Sequence, residues 1–208
     1  MARYTDASCR LCRREGIKLV LKGERCASSK CSLEKRKFAP GDHGQNRAKI
    51  SNYAVQLREK QKAKRYYGLL EKQFRLYYQT ANKLRGITGT LLLQLLERRL
   101  DNLVYRIGFA PSRKAARQLI NHGHIAVNGK KVDIASFRCN VGDEISIRDK
   151  SKENKEIVAA KELLGKKVGY HWLEVTAEAL SGRLLAIPSR EEIDVPVKEQ
   201  LIIELYSK

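Results

Sequence analysis

No stretch of this chain stays apolar for the ~18 residues that a membrane span requires, so no membrane is expected among its partners. Acidic residues are scarce beside basic ones: 23 Asp and Glu stand against 42 Lys and Arg, for a net charge of +19. Solubility asks for much less than that. A self-repelling excess of this size favours a polyanionic partner, and nucleic acid is the first expectation. Catalytic signatures are also missing. There is no glycine-rich phosphate loop, no GxSxG and no HExxH, which removes the common nucleotide-cradling, ester-cleaving and zinc-peptidase classes. The N-terminal "MARYTDASCRLC" has neither an apolar core nor a cleavage pattern, so a secretory signal is not expected. A reducing, cytoplasmic compartment follows, in which structural disulfides are improbable. Internal repeats and low-complexity tracts are absent. With 42% hydrophobic residues, the chain can still bury a core.

The charge is unevenly spread. Residues 1–65 carry 18 basic and 6 acidic side chains, net +12; residues 66–148 carry 14 and 6, net +8; residues 149–208 carry 10 and 11, net −1. The anion-facing surface is therefore expected from the first two thirds, and the last sixty residues read as scaffold or as a face toward another protein.

Residues 1–50 show little periodicity, and "FAPGDHGQN" (38–46) reads as a loop punctuated by Pro40, Gly41 and Gly44. From Ser51, a plausible N-cap, the pattern turns helical through "NYAVQLREKQKAKRYYG" and then "LLEKQFRLYYQTANKLRG", ending at Gly68 and Gly86. "TGTLLLQLLERRLDNLVYRIGF" reads as one long helix, its leucines at i, i+3/i+4 spacing and Gly108 at its C-terminal turn. "APSRKAARQLINHG" follows as a short helix capped by Ser112. The period then switches to two. "HIAVNGKKVDI" sets Asn-Gly between short β-prone runs, a strong hairpin signal. "NVGDEISIRD" reads as turn and strand, residues 151–165 as helix, and "HWLEVTAEALSGRLLAIP" as strand, turn, strand. "VPVKEQLIIELYSK" closes the chain as a helix, with a strand as the competing reading.

Four of the five cysteines are spaced Cys9-x2-Cys12-x13-Cys26-x4-Cys31. Two close pairs at this separation can surround one tetrahedral ion. Structural zinc is the leading reading. A [4Fe–4S] cluster fits the same spacing, and unmetallated thiols remain open. A catalytic zinc would need a free ligand position, which four cysteines do not leave. The loops between them are studded with Arg10, Arg13, Arg14, Lys18, Lys22, Arg25 and Lys30, and Lys35, Arg36, Lys37, His43 and Arg47 continue the charge. All are candidate RNA contacts, and metal would fix the loops that present them. Cys139 stands alone in a β-prone run and reads as a buried structural residue.

Two further basic constellations stand out. Arg58, Lys60, Lys62, Lys64 and Arg65 crowd a helix that ends in Tyr66 and Tyr67, the mixture of cation and aromatic that suits phosphate pairing and base stacking. The competing reading places those tyrosines in the core. In the short helix after Ser112, Arg113, Lys114, Arg117 and Asn121 share one face while Ala116, Leu119 and Ile120 share the other. The basic face is expected to be free for phosphates, with His122, His124, Lys130 and Lys131 extending it onto the hairpin; an ordinary solvated face is the bland alternative.

"RLDNLVYRIGFAPSRKAARQLINHGHIAVNGKKVDI" resembles an RNA-binding module found in ribosomal proteins, pseudouridine synthases, heat-shock RNA-binding proteins and one tyrosyl-tRNA synthetase type. The likeness runs further. "CRLCRREG", "LKGERC", "APGDHGQ", "YAVQLREKQKAKRYYG", "EKQFR" and "EQLIIELYSK" all look like the bacterial family of the fourth small-subunit ribosomal protein, in its four-cysteine form. That resemblance implies a non-enzymatic protein of the small subunit. Its expected partners are the 5′ domain of small-subunit rRNA at a helical junction, mRNA near the path by which it enters, and the neighbouring fifth small-subunit protein. It also implies roles in subunit assembly and translational accuracy, and zinc at Cys9, Cys12, Cys26 and Cys31.

The fold class expected is α+β: a metal-bound N-terminal segment (1–50), a helical domain (51–97, completed by 197–208), and an inserted RNA-binding module of two helices plus a small antiparallel sheet (98–165, with 166–196 as the remainder). Two other functions compete. An RNA-modifying enzyme could use the module for targeting, but leaves no room for a catalytic domain of ~150 residues. A zinc-dependent nucleic-acid-binding regulator would call for duplex DNA and a dimerisation heptad.

Overall fold

A computed structural model describes residues 3–46, 49–154, 157–160, 169–176 and 178–207. The chain divides into two compact units, Met1–Leu92 with Val195–Lys208, and Leu93–Asp194.

The first unit is helical. Helix α1 (Ser8–Glu15) ends at Gly16, whose φ of 68° is the left-handed conformation that stops a helix. A 3₁₀ turn (Gly23–Cys26) and the one-turn α2 (Ser32–Lys35) follow. Residues 38–46 form turns, as their Pro and Gly content predicts. Helix α3 (Asn52–Tyr66) starts where the Ser51 hydroxyl accepts a hydrogen bond from the Ala54 N–H at 3.2 Å. Helix α4 (Glu71–Lys83) buries Phe74 and Ala81. The C-terminal residues form helix α8 (Glu199–Tyr206), which packs along α3. The competing strand fails because Leu201, Ile202 and Leu205 recur at helical spacing, and Ile202 is fully buried.

Both Tyr66 and Tyr67 are buried, at 8% and 1% exposure, and their rings meet edge-on at 5.2 Å. The expected stacking platform is thus core. Burying two aromatic rings yields more than exposing them to solvent.

The second unit sets helices α6 (Leu100–Ile107) and α7 (Arg113–Asn121) on a five-stranded antiparallel sheet. Its strands are β1 (Ile125–Val127), β2 (Lys130–Lys131), β3 (Glu144–Ile147), β4 (Leu173–Thr176) and β5 (Ser181–Leu184), in the order β2-β1-β3-β5-β4. Asn128 and Gly129 have φ of 50° and 76°, the two left-handed residues that a tight hairpin turn between β1 and β2 demands. Gly182 of β5 lies against α6. A Cβ there would stand 2.8 Å from Ile107 Cδ1, so any larger residue would force the Ile107 side chain to shift. The core joins Leu103, Val104 and Ile107 of α6, Ala116, Leu119 and Ile120 of α7, and the inward residues Ile125, Ile145, Ile147 and Leu184.

One expectation is corrected here. The long leucine-rich helix is two helices, α5 (Thr88–Glu97) and α6, separated at Arg98 and Arg99. Arg99 is extended (φ −70°, ψ 139°) and bridges Arg138. The break is stabilised from outside the helix. The Leu100 and Asp101 N–H groups donate to Phe137 O and Ala135 O, and Cys139 N–H donates to Arg98 O. Periodicity alone could not register this, since apolar spacing continues across the break. Residues 157–160 are helical, while 155, 156 and 161–165 of the expected helix lie outside the described residues.

Candidate nucleic-acid interface

The N-terminal cations mostly face solvent. Arg10, Arg14, Lys18, Lys22, Arg25, Lys30, Lys35, Arg36 and Lys37 are all exposed, as is His43 in the 38–46 loop. Arg47 lies outside the described residues. Lys18 pairs with Glu34. Arg13 is half-buried: its Nε and Nη2 donate to Phe38 O (3.0 Å) and Ala39 O (3.3 Å), and its guanidinium sits 5.0 Å from the Phe38 ring centre. It therefore pins the loop to α1.

Beneath this surface, Cys9, Cys12, Cys26 and Cys31 line one small cavity with Lys22, Arg25, Ser32 and Leu33. The Lys22 N–H donates to Cys26 Sγ at 3.3 Å. Burial pushes the Cys12 thiol up from its ordinary value, and the three neighbouring sulfurs add to that. Among the described residues, no group of three or more His, Cys, Asp or Glu side chains stands at metal-holding geometry.

Helix α3, expected to offer its cations to phosphate, holds them in ion pairs instead. Each of its five cations is half-buried and matched to a carboxylate. Arg58 and Arg65 both reach Glu15 Oε1, the former at 3.3 Å. Burial is the largest influence on Glu15 and raises its pKa, against the lowering by Arg58 and Arg65. Lys62 pairs with Glu59 one turn away. Lys60 and Lys64 take the two oxygens of Glu71 at 2.6 and 3.0 Å. Sequence reasoning missed these three acidic partners. Only the Glu59–Lys62 spacing carried a signal; Glu15 and Glu71 arrive from other helices.

The largest correction falls on α7. Arg113 and Arg117 are 6% and 8% exposed and turn toward α6. Arg117 Nε and Nη2 donate to Asp101 Oδ2 at 3.1 and 2.5 Å, while Arg99 takes both Asp101 oxygens at 2.9 and 2.7 Å. Arg113 Nε donates to Asn102 Oδ1 at 2.8 Å, and its guanidinium lies 4.5 Å from the Tyr105 ring centre. Asn102 Nδ2 in turn donates to Glu97 Oε2 (2.7 Å), which also accepts from Arg106 Nε at 3.0 Å. These two arginines clamp α7 to α6. The outward face is one position on: Lys114, Gln118, Asn121 and His122 are exposed at i, i+4, i+7 and i+8. Gln118 was not among the candidates. Lys130 and Lys131 are exposed on the hairpin, and Lys131 lies 3.7 Å from Asp133. His124 is half-buried, its Nδ1 2.9 Å from Ser151 Oγ.

The arrangement offers solvent-facing cations on a frame of helices and one small sheet. Comparison with known proteins identifies that frame. The ribosomal protein S4/S9 N-terminal domain profile matches residues 3–97, and the S4 domain profile matches residues 98–145. Small ribosomal subunit protein uS4 of Acetivibrio thermocellus is 59% identical over 208 residues, covering all of both chains. The uS4 of Clostridium tetani is likewise 59% identical, and uS4A of Alkaliphilus oremlandii 58%, each over the full length of both chains. The chain belongs to the uS4 family. The junction of the two profiles, at residues 97 and 98, coincides with the α5–α6 break. No helix among the described residues is long and apolar enough to cross a membrane.

Proposed function

We propose that this chain is a structural constituent of the small ribosomal subunit that binds rRNA and performs no catalysis. The observation carrying this reading is the full-length identity of 56–59% to relatives named as small-subunit proteins. The solvent-facing cations of residues 10–37 and of the α7–hairpin edge support it. The mechanism is phosphate neutralisation by Lys and Arg together with recognition of a helical junction, since a folded RNA is recognised by its shape and backbone. The expected 5′-domain site, the place beside the path by which mRNA enters, and the contact with the fifth small-subunit protein rest on the family likeness. The test is binding to a junction-containing small-subunit rRNA fragment across a salt series. A steep fall in affinity with salt is expected; a flat response overturns the mechanism.

The four cysteines carry a second, narrower proposal: Cys9, Cys12, Cys26 and Cys31 take one structural zinc ion. Their convergence on one cavity and the N–H donated to Cys26 Sγ support it. The donor set is that of closed tetrahedral zinc sites, and the ion would tie α1 to the turn and helix that follow. Metal analysis of anaerobically purified protein is expected to find about one zinc per chain. Iron with sulfide, or no metal at all, overturns this assignment.

A further inference from the structure

The three acidic partners of α3 are not alike, and the difference lies in which charge is outermost. At Glu15 the carboxylate is fully buried, while the Arg58 and Arg65 side chains are 32% and 21% exposed. The cations stand outside and remain reachable, so Glu15 orients them. At Glu71 the order is reversed. Its side chain is 44% exposed, whereas Lys60 and Lys64 are 11% and 16% exposed. The Glu71 side chain is therefore the more open of the three to an approaching phosphate. The two Glu71 oxygens each hold one lysine, at 2.6 and 3.0 Å. A phosphate with two non-bridging oxygens could make the same pair of contacts. Glu71 is itself anchored by α8, because the Tyr206 hydroxyl donates to Glu71 Oε1 at 3.0 Å and the Lys60 ammonium lies 5.6 Å from the Tyr206 ring centre.

We propose that Glu71 is a specificity-determining carboxylate, an internal stand-in for an RNA phosphate that masks Lys60 and Lys64. The inference rests on the rRNA-binding reading above. Any polyanion that approaches α3 must displace or outlast Glu71 before it gains the two lysines. A flexible strand of arbitrary sequence gains little from doing so. An RNA held in register by contacts elsewhere on the protein can place a phosphate there and recover the cost. Discrimination then comes from a built-in repulsive element as well as from attraction. Electrostatic, sequence-independent binding is the competitor that such an element suppresses.

The experiment compares Glu71→Gln with the wild-type full chain, on a junction-containing small-subunit rRNA fragment and on poly(U), across a salt series. Glu71→Gln is expected to tighten poly(U) binding by about two- to fivefold, to steepen its salt dependence, and to change the rRNA fragment less. Glu71→Asp, which withdraws the charge by one methylene, gives a smaller effect of the same sign and serves if the Gln variant does not fold. Tyr206→Phe removes the anchoring hydroxyl but leaves the carboxylate, and is expected to leave poly(U) binding as in wild type. If Tyr206→Phe reproduces the Glu71→Gln effect, helix packing is the cause and the proposal falls. Unchanged or weaker poly(U) binding by Glu71→Gln also overturns it. A Lys60→Ala/Lys64→Ala protein separates the two levels. If it binds both RNAs as wild type does, α3 does not face RNA and the proposal falls, while the rRNA-binding reading stands. If it binds more weakly while Glu71→Gln matches wild type, the masking role alone is refuted.

Discussion

At the scale of single residues, charge and exposure part company. Arg117 and Lys114 are three positions apart on one helix, yet one is an internal clamp and the other a surface cation. Asp101 is the clearest case. Buried at 1% exposure, it neutralises both Arg99 and Arg117. Asp101→Ala leaves two guanidinium groups in the interior without their carboxylate and is expected to destabilise the fold by about 3–5 kcal/mol, measured by chemical denaturation. Lys114→Ala is expected to change stability by less than about 0.5 kcal/mol while weakening rRNA binding, as a filter-binding titration would register. The same contrast shows why replacing Arg113, Lys114 and Arg117 together would not leave the fold intact. Cys139 is a second case. Burial pushes its thiol up to about 12, so the reactive thiolate is scarce at neutral pH. Its alkylation is expected only as fast as the protein opens; rapid modification of the native protein would show the site to be accessible.

Elements show how local rules and tertiary demands meet. Helix α7 begins and ends where the sequence says. The Ser112 hydroxyl accepts from the Ala115 N–H at 3.3 Å, and Gly123 follows the last turn with φ 74°. Ser112→Ala is expected to cost about 1 kcal/mol. The α5–α6 break shows the limit of such rules. Nothing in "LLERRLDNLV" interrupts helical spacing, and the break exists because the 135–139 segment supplies competing backbone partners. The docking of α8 is a third case, with a pH dependence whose sign follows from Glu71. Burial works against its charge, but hydrogen bonds from Lys60 and Lys64 outweigh this and hold its pKa below the ordinary 4.5. A carboxylate lowered on folding adds stability above 4.5 that disappears as pH falls through the folded value. The Tm of wild type minus that of Glu71→Gln is therefore expected to be positive near neutrality and to shrink as the pH falls below the ordinary 4.5. A difference that grows with acidity would contradict the ion-pair network.

For the whole molecule, the decisive quantity is the net charge of +19. Much of the positive charge on α3 and α6–α7 is paired within the protein, against Glu15, Glu59, Glu71, Glu97 and Asp101. Exposed cations remain most densely in residues 10–37, with others along α4 and its end (Lys72, Arg75, Lys83, Arg85) and at Lys114, Lys130 and Lys131. Removing the cysteine-rich order should therefore cost more RNA affinity than neutralising α3. The Cys9→Ser/Cys12→Ser protein is expected to lose rRNA affinity and to gain protease sensitivity confined to its first 50 residues. Normal affinity together with normal protection would show that the thiol cluster does not organise the interface.

By itself, the sequence determined whatever depends on neighbours within a few residues: the capped helices, the Asn128-Gly129 hairpin, the cysteine spacing, and a net charge pointing to a polyanion. Those signals are local because caps, turns and periodicity are set by backbone geometry over one or two turns. Only the tertiary structure decided which cations face solvent. Arg113, Lys114 and Arg117 are near neighbours on one helix, and their residue types do not say which of them turns inward. The distinction comes from Asp101 and Asn102, 11 to 16 residues away, and for α3 from Glu15 and Glu71 on other helices. A buried guanidinium needs a partner of opposite charge, and the fold alone determines where that partner stands.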